Sequence, residues 1–407
     1  SWSDLHQRYR GPWADVVHHS GRVLQALSFQ PSGAIVAAAT TSLPEGVGAE
    51  PNRDHRYSWL RGAGITTEAL WVAACPDEAA DFVSFTTTAS ATSAAPDHAL
   101  QTVFGVGGEH DLSQRVLPRL SGWRGSRPVR VGVDVSQHEP GVHGELLSAA
   151  HRLADHIHGV DDDTKAFLVS IADEAAIRWR ETDRGIWHAG GVPRHFVHSK
   201  VMYWVALDRA VALAPVLDAE NRAAQWKRAQ DEIFATVMRH GWNEAQHTFT
   251  QSFGSDALDA SGLVIPIVGF LPPDDPHVLA TIDAVEERLT DEHGLVHRYR
   301  TEEAVDGGAG RDGAVLLWTF TLARALALAG RVDRARAVFE RAVGRANDVG
   351  LLAGDVDPRT GEMLGNFPQA LSHVGLVNAA WTIGDAERRI AEQHGHAEHA
   401  ANGVHVD

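Results

Sequence analysis

The feature that most constrains this chain is a succession of twelve segments whose apolar residues recur at intervals of three and four, the spacing of one helical face. It predicts helices near 13–29, 62–75, 77–90, 143–158, 162–181, 197–214, 219–240, 258–267, 275–289, 313–329, 331–347 and 368–393. Several ends are marked by residue type. Pro272-Pro273-Asp274-Asp275 stops one helix and caps the next, Ala329-Gly330-Arg331 is a tight link, and Asp161-Asp162-Asp163 offers cap oxygens to the helix after it. Only Ala34-Ile35-Val36-Ala37-Ala38 reads as a strand, and turn residues crowd the stretch from Gly105 to Gly141. Twelve helices joined alternately by short and long links suit an all-α (α/α)6 barrel. Six inner helices are then ringed by six outer ones, with the long loops gathered at one end around a pocket. An irregular helical bundle fits the same pattern. A solenoid fits less well, because no repeat of fixed period is visible.

The 407 residues exceed the usual size of one domain, and a barrel of hairpins accommodates them in a single domain over 1–393. The stretch 394–407 is polar, rich in His and aperiodic, and is expected to be a disordered tail. With 53 acidic against 36 basic residues the formal charge is −17, which argues against nucleic acid or an anionic membrane as partner. The partner expected is a small-molecule substrate. Cys75 is the only cysteine, so no internal disulfide forms. No apolar run reaches the ~20 residues of a membrane span. The opening Ser1-Trp2-Ser3-Asp4-Leu5 lacks the regions of a signal peptide, so a cytoplasmic location is expected.

Four stretches stand out for their chemistry. They are Asn52-Arg53-Asp54-His55-Arg56-Tyr57-Ser58-Trp59-Leu60-Arg61, Asp183-Arg184-Gly185-Ile186-Trp187, Pro193-Arg194-His195-Phe196-Val197-His198-Ser199-Lys200-Val201-Met202, and Gly365-Asn366-Phe367-Pro368-Gln369-Ala370-Leu371-Ser372-His373. Supporting them are Thr41-Ser42-Leu43-Pro44-Glu45, Gly122-Trp123-Arg124-Gly125-Ser126-Arg127-Pro128-Val129, Leu258-Asp259-Ala260-Ser261 and Asp357-Pro358-Arg359-Thr360-Gly361-Glu362. Together, and in this order, they resemble the family 15 glycoside hydrolases, especially the bacterial trehalase and glucoamylase-like branch. The resemblance implies an (α/α)6 barrel, usually preceded by a β-sandwich domain. Here the first helix begins almost at residue 1, so the β-domain is expected to be absent from this chain.

Inverting hydrolysis of a glycoside needs one carboxyl to protonate the leaving oxygen and another to deprotonate a water on the opposite face. In the family the acid is a Glu after Gly-Ile-Trp, and that position is His188. The base is a Glu in Gly-Glu-Gly-Ala, and that position is Asp312, in Arg311-Asp312-Gly313-Ala314. An Asp after Trp-Leu-Arg that holds the first sugar is replaced by Gly62, and a further family Asp by Gly141. Glu to His exchanges a group ionising near ~4 for one ionising near ~6.5. An imidazole can still act as acid or base. The family positions also make Trp59, Arg61, Trp187, Arg194, His195 and Asn366 candidate substrate-binding residues.

Each has a plainer reading. Asp312 precedes an apolar helix and suits an N-cap. Arg61 suits a donor to loop carbonyls, and the tryptophans suit core packing. Glu145 and Glu362 read as caps or salt-bridge partners. His188, His195 and His198 do not match a zinc spacing, so neither a catalytic metal nor a cofactor is expected. Four altered pocket positions on a retained scaffold point to acid/base chemistry on a non-glucose substrate: dehydration, isomerisation, elimination or cyclisation. Glucose release from trehalose, maltose or isomaltose is then not expected. Two alternatives stay open. One is an inverting hydrolase of an α-glucoside with His188 as acid and Asp312 as base, and the other is a non-catalytic carbohydrate-binding relative.

Overall fold

The computed structural model describes residues 7, 9–46, 52–73, 76–93, 100–133, 139, 141–154, 161–187, 192–300 and 313–402. Among the described residues there are twelve α-helices: α1 (Ala14–Ala26), α2 (Ala63–Ala73), α3 (Pro76–Ser93), α4 (Val142–Leu153), α5 (Asp162–Arg178), α6 (Val197–Leu213), α7 (Glu220–His240), α8 (Val264–Ile267), α9 (Pro276–Arg288), α10 (Leu316–Leu328), α11 (Val332–Val343) and α12 (Ala370–Asn402). Even-numbered helices form a closed ring. α2 packs on α4, α4 on α6, α6 on the 3-10 turn Ala260–Leu263 that leads into α8, α8 on α10, α10 on α12, and α12 back on α2. Odd-numbered helices cover the ring from outside: α1 lies on α12 and α2, α3 on α2 and α4, α5 and α7 on α6, α9 on the 3-10 turn and α10, and α11 on α10 and α12. This is the (α/α)6 barrel.

Inner and outer positions follow from composition. Inner α10, LLWTFTLARALAL, is apolar nearly all round and is buried on most faces. Outer α11, VDRARAVFERAV, buries only Ala335, Val338, Phe339 and Ala342, a single stripe at helical spacing, and leaves its arginines outside. Phe339 closes that stripe against Trp13 of the chain entering α1 and Phe320 of α10, with ring centroids 4.3 and 5.6 Å away.

Links from an inner to the next outer helix are short, as at 74–75 and 329–331. Links from an outer to the next inner helix are long, and among the described residues they carry every strand, each two residues long. Two of these pairings shape the site: Ser58–Trp59 with Val103–Phe104, and Ala314–Val315 with Asp355–Val356, where Val315 faces Asp355 in register.

Three expectations are corrected. The helix expected over 258–267 is only the 3-10 turn and the single turn of α8. Asp259 is extended and its carboxylate accepts from Ser261 N, and the positive φ of Gly269 ends the segment. The helix expected to reach 29 stops at Ala26, because Ser28–Phe29 pairs with Ala34–Ile35. The last helix, expected to end at 393, runs on to Asn402; its Ala and Glu residues favour helix despite the polar composition.

Candidate active site

All six inner helices and four of the long links line one cavity of about 1050 Å³. Of the candidate substrate-binding residues, Trp59, Arg61, Trp187 and Asn366 lie in its lining. Arg194 and His195 do not. Arg194 is an exposed residue whose backbone bridges to Asp183, and His195 stacks on Phe253 at 5.6 Å. His188 and Asp312 lie outside the described residues. Their chain neighbours are placed: Trp187 lines the cavity, and so does Val315, three residues past Asp312.

The motifs hold one another. Asp183 accepts from Gly185 N at 2.7 Å and Ser199 Oγ at 2.8 Å, and its other oxygen faces the buried ammonium of Lys200 at 3.5 Å. That fixes the loop ending at Trp187 to the start of α6. Asp259 accepts from Trp187 Nε1 at 2.7 Å and Gln251 Nε2 at 3.0 Å, which fixes the indole edge. Asn366 donates to Arg53 O at 3.0 Å, and its Oδ1 accepts from Thr40 Oγ1 at 3.1 Å. Its amide is thus tied between loops, so it shapes the cavity through its loops. Asn52 donates to Ser126 O and Pro128 O, joining two further motifs. Glu362 pairs with Arg124 at 2.8 Å, the plain role expected of it.

Sequence reasoning missed several lining residues. Arg298 stands between Glu45 and Asp355, 3.2 Å from each, with its guanidinium 5.8 Å from the Trp187 ring centroid. Trp318 and Tyr299 meet Trp187 edge to face at 5.3 and 6.3 Å. Burial acts to raise the Glu45 carboxyl, but Arg298, Arg53 and His55 outweigh it and hold it at about 2. Burial pushes His55 and His198 down to about 4, with Arg61 adding to the effect on His198, so both rings are neutral at neutral pH. Burial pushes the Glu145 carboxyl up to about 7 even though it accepts from Gly64 N at 2.9 Å. Arg61 donates to Ile186 O at 2.6 Å, the structural role weighed for it, while its guanidinium also reaches the cavity and lies 5.9 Å from the Trp59 ring centroid. Trp59 Nε1 is buried and has no hydrogen-bond partner.

Two glycines show what the cavity can hold. Gly62 has φ +87°, and a Cβ there would lie 2.7 Å from Leu371 Cδ2. Gly313 leaves no room for a Cβ, which would stand 2.9 Å from both Asp355 Cβ and Val356 O. The arrangement offers fixed guanidinium donors, neutral imidazoles, aromatic walls and ionised carboxylates around one space. Such a set binds hydroxyl-rich ligands and moves protons.

Residues 14–381 match the profile of the glycosyl hydrolases family 15. The chain belongs to that family. A trehalase of Mycolicibacterium smegmatis is 41% identical over 377 residues, covering 92% of this chain and 56% of that protein. A trehalase of Mycobacterium tuberculosis is 40% identical over 377 residues, 92% of this chain and 55% of that one. The family 15 chain thus spans little more than half the length of these relatives. A bacterial glucoamylase complexed with acarbose shares its fold, with a TM-score of 0.70 at 16% identity over 90% of this chain and 55% of that one. These relatives correct the functional expectation. Dehydration, isomerisation, elimination or cyclisation was inferred from altered positions alone, and family membership together with trehalases at 40–41% identity across most of the chain overturns it. Among the described residues no helix is long and apolar enough to cross a membrane.

Proposed function

We propose that this barrel hydrolyses an α-linked glucoside of the trehalose class by inversion, with His188 as general acid and Asp312 as general base. The observation that carries the reading is the likeness to trehalases over nearly the whole chain. Around it stands a cavity whose described lining carries the chain on toward both positions: Trp187 directly precedes His188, and Val315 follows Asp312 closely. In this reading the sugar lies at the mouth, against Trp59, Trp187 and Trp318 and within reach of Arg61 and Arg298. The imidazolium of His188 gives its proton to the glycosidic oxygen as the C–O bond breaks. Asp312 takes a proton from the water that attacks the anomeric carbon from the opposite face. The expectation that trehalose is left uncut is withdrawn with the chemistry it rested on.

The test is proton NMR of trehalose with the purified protein at millimolar substrate. Inversion at one centre yields one β-glucose and one α-glucose in equal initial amounts. His188→Ala and Asp312→Asn should each lower turnover by roughly 10²–10⁴. Binding of trehalose without any turnover would sink the hydrolase reading and leave a carbohydrate-binding relative. Full turnover in both variants would move the chemistry to other residues.

A further inference from the structure

The cavity continues far beyond the space a sugar needs at its mouth. On α6 both His198 and Arg209 line it, and eleven residues of helix separate them. At a rise of 1.5 Å per residue that is about 16 Å. Its 1050 Å³ lies above the ~300–1,000 Å³ of pockets for drug-sized ligands. Between the two ends the wall is mixed: Ile65, Met202, Val268, Leu317, Phe320 and Leu371 supply apolar surface, with Thr66, Ser148, Ser372 and Asn378 among them.

The inner end is charged. Arg152, Arg209 and Arg324, in the later turns of α4, α6 and α10, line it together with Glu68 of α2. Glu68 accepts from Arg324 at 2.6 Å and faces Arg152 at 3.0 Å, so one carboxylate stands between two guanidiniums. Arg209 is paired with Asp208 and donates to Val268 O at 2.9 Å. Arg324 is 11% exposed and its Nε is buried without a hydrogen-bond partner, whereas Arg152 keeps 43% of its side-chain surface open. Burial lowers the pKa of the Arg152 guanidinium, Glu68 raises it, and Arg324 and Arg209 lower it further. Such mutual repulsion marks cations crowded together. Three guanidiniums share the carboxylates of Glu68 and Asp208, and an oxyanion accepting from the open face of Arg152 adds a further charge-assisted hydrogen bond.

We propose that the inner half of the cavity is a second binding compartment for an apolar chain ending in an oxyanion, carried as a substituent on the sugar held at the mouth. The compartment is assigned from the arginines and the apolar surface; that its occupant is attached to a sugar rests on the hydrolase reading above. The substrate class is then an α-glucoside whose non-reducing sugar bears an acidic acyl or alkyl chain.

Calorimetric titration of the full chain separates these statements. The probe is n-hexyl phosphate, compared with inorganic phosphate and 1-hexanol. Hexyl phosphate should bind at least tenfold more tightly than either, with roughly fourfold gained per methylene from butyl to hexyl. Arg152→Gln should weaken it at least tenfold while leaving Glu68 its bond to Arg324, so the fold survives. Ser148→Phe, which obstructs the passage from α4, should do the same. Equal affinity for inorganic phosphate reduces the compartment to an ion site, and equal affinity for hexanol removes the oxyanion; either result overturns the proposal. So does unchanged binding in both variants.

The link to the sugar is read from trehalose carrying an adipic acid monoester on one primary hydroxyl. Its kcat/KM should exceed that of trehalose at least tenfold in the wild type and fall back to parity in Arg152→Gln. Cleavage of both substrates without preference overturns the substituent. Cleavage of neither, with hexyl phosphate bound as stated, means that the hydrolase reading has failed and the compartment stands.

Discussion

Glu145 allows a quantitative test of how the barrel handles a buried charge. Its carboxyl lies on α4, lines the cavity and accepts from Gly64 N at the start of α2. Burial raises it from its ordinary 4.5 to about 7 in the folded protein. The unfolded chain keeps the ordinary value. Below 4.5 both states hold the proton, and the group contributes no pH dependence. Between 4.5 and about 7 the folded state holds a proton that the unfolded state releases, so stability falls as pH rises through that window and levels off above it. At about 1.4 kcal/mol per pH unit the full difference is about 3 kcal/mol. Water in the cavity screens part of the burial, so about 1–2 kcal/mol is expected. Glu145→Gln keeps an oxygen for Gly64 N and removes the proton. The assay is urea unfolding by far-UV dichroism from pH 4.5 to 8 for both proteins. The variant should match the wild type at the acid end and become more stable than it by about 1–2 kcal/mol near pH 8, with equal slopes in denaturant. Parallel stability curves across the range would refute the reasoning, because they would mean that the carboxyl is ionised in the folded state throughout.

Further outcomes follow from other sites. Lys200→Met leaves Asp183 buried without its cation and should destabilise the protein by about 3–5 kcal/mol in urea titration, a loss that Asp183→Asn in the same chain should partly restore. Gly62→Ala places a side chain at φ +87° and should cost about 1–2 kcal/mol; the Leu371 methyl it meets can swing into the cavity, so Leu371→Ala should recover little of it. Phe339→Ala empties the contact among Trp13, Phe320 and α11 and should cost about 3–5 kcal/mol, read as a lower denaturation midpoint.

The alternation of short and long links was legible because it is a property of chain length between periodic segments, and the ring follows from it. The loop motifs were legible too, but their work was partly misread. Asn366 stood out as a ligand, and it lines the cavity while its amide also ties Arg53 to Thr40. Lys200 and Asp259 carried no individual role in the sequence and are the anchors that aim Trp187. Arg298, Tyr299 and Trp318 left no signal, since each reaches the cavity only through contacts with residues distant in sequence. The residue exchanges at the family's catalytic positions pulled the functional reading toward new chemistry. Composition at four positions says what a pocket has lost, but it does not say which reaction the remaining donors support.

The ring is closed by its last member: α12 packs on both α2 and α10, which otherwise meet through the ion pair of Glu68 with Arg324. A chain emerging from the ribosome therefore carries five inner helices before it can enclose anything. Until residue 370 onward has cleared the exit tunnel, the cavity-facing sides of α2 and α10 stay open to solvent with Ile65, Leu317 and Phe320 uncovered. The pairing that ends this exposure joins segments some three hundred residues apart, among the slowest kinds of contact to form. The interval between synthesis of α10 and docking of α12 is thus when this protein is most exposed to aggregation and has most use for a chaperone.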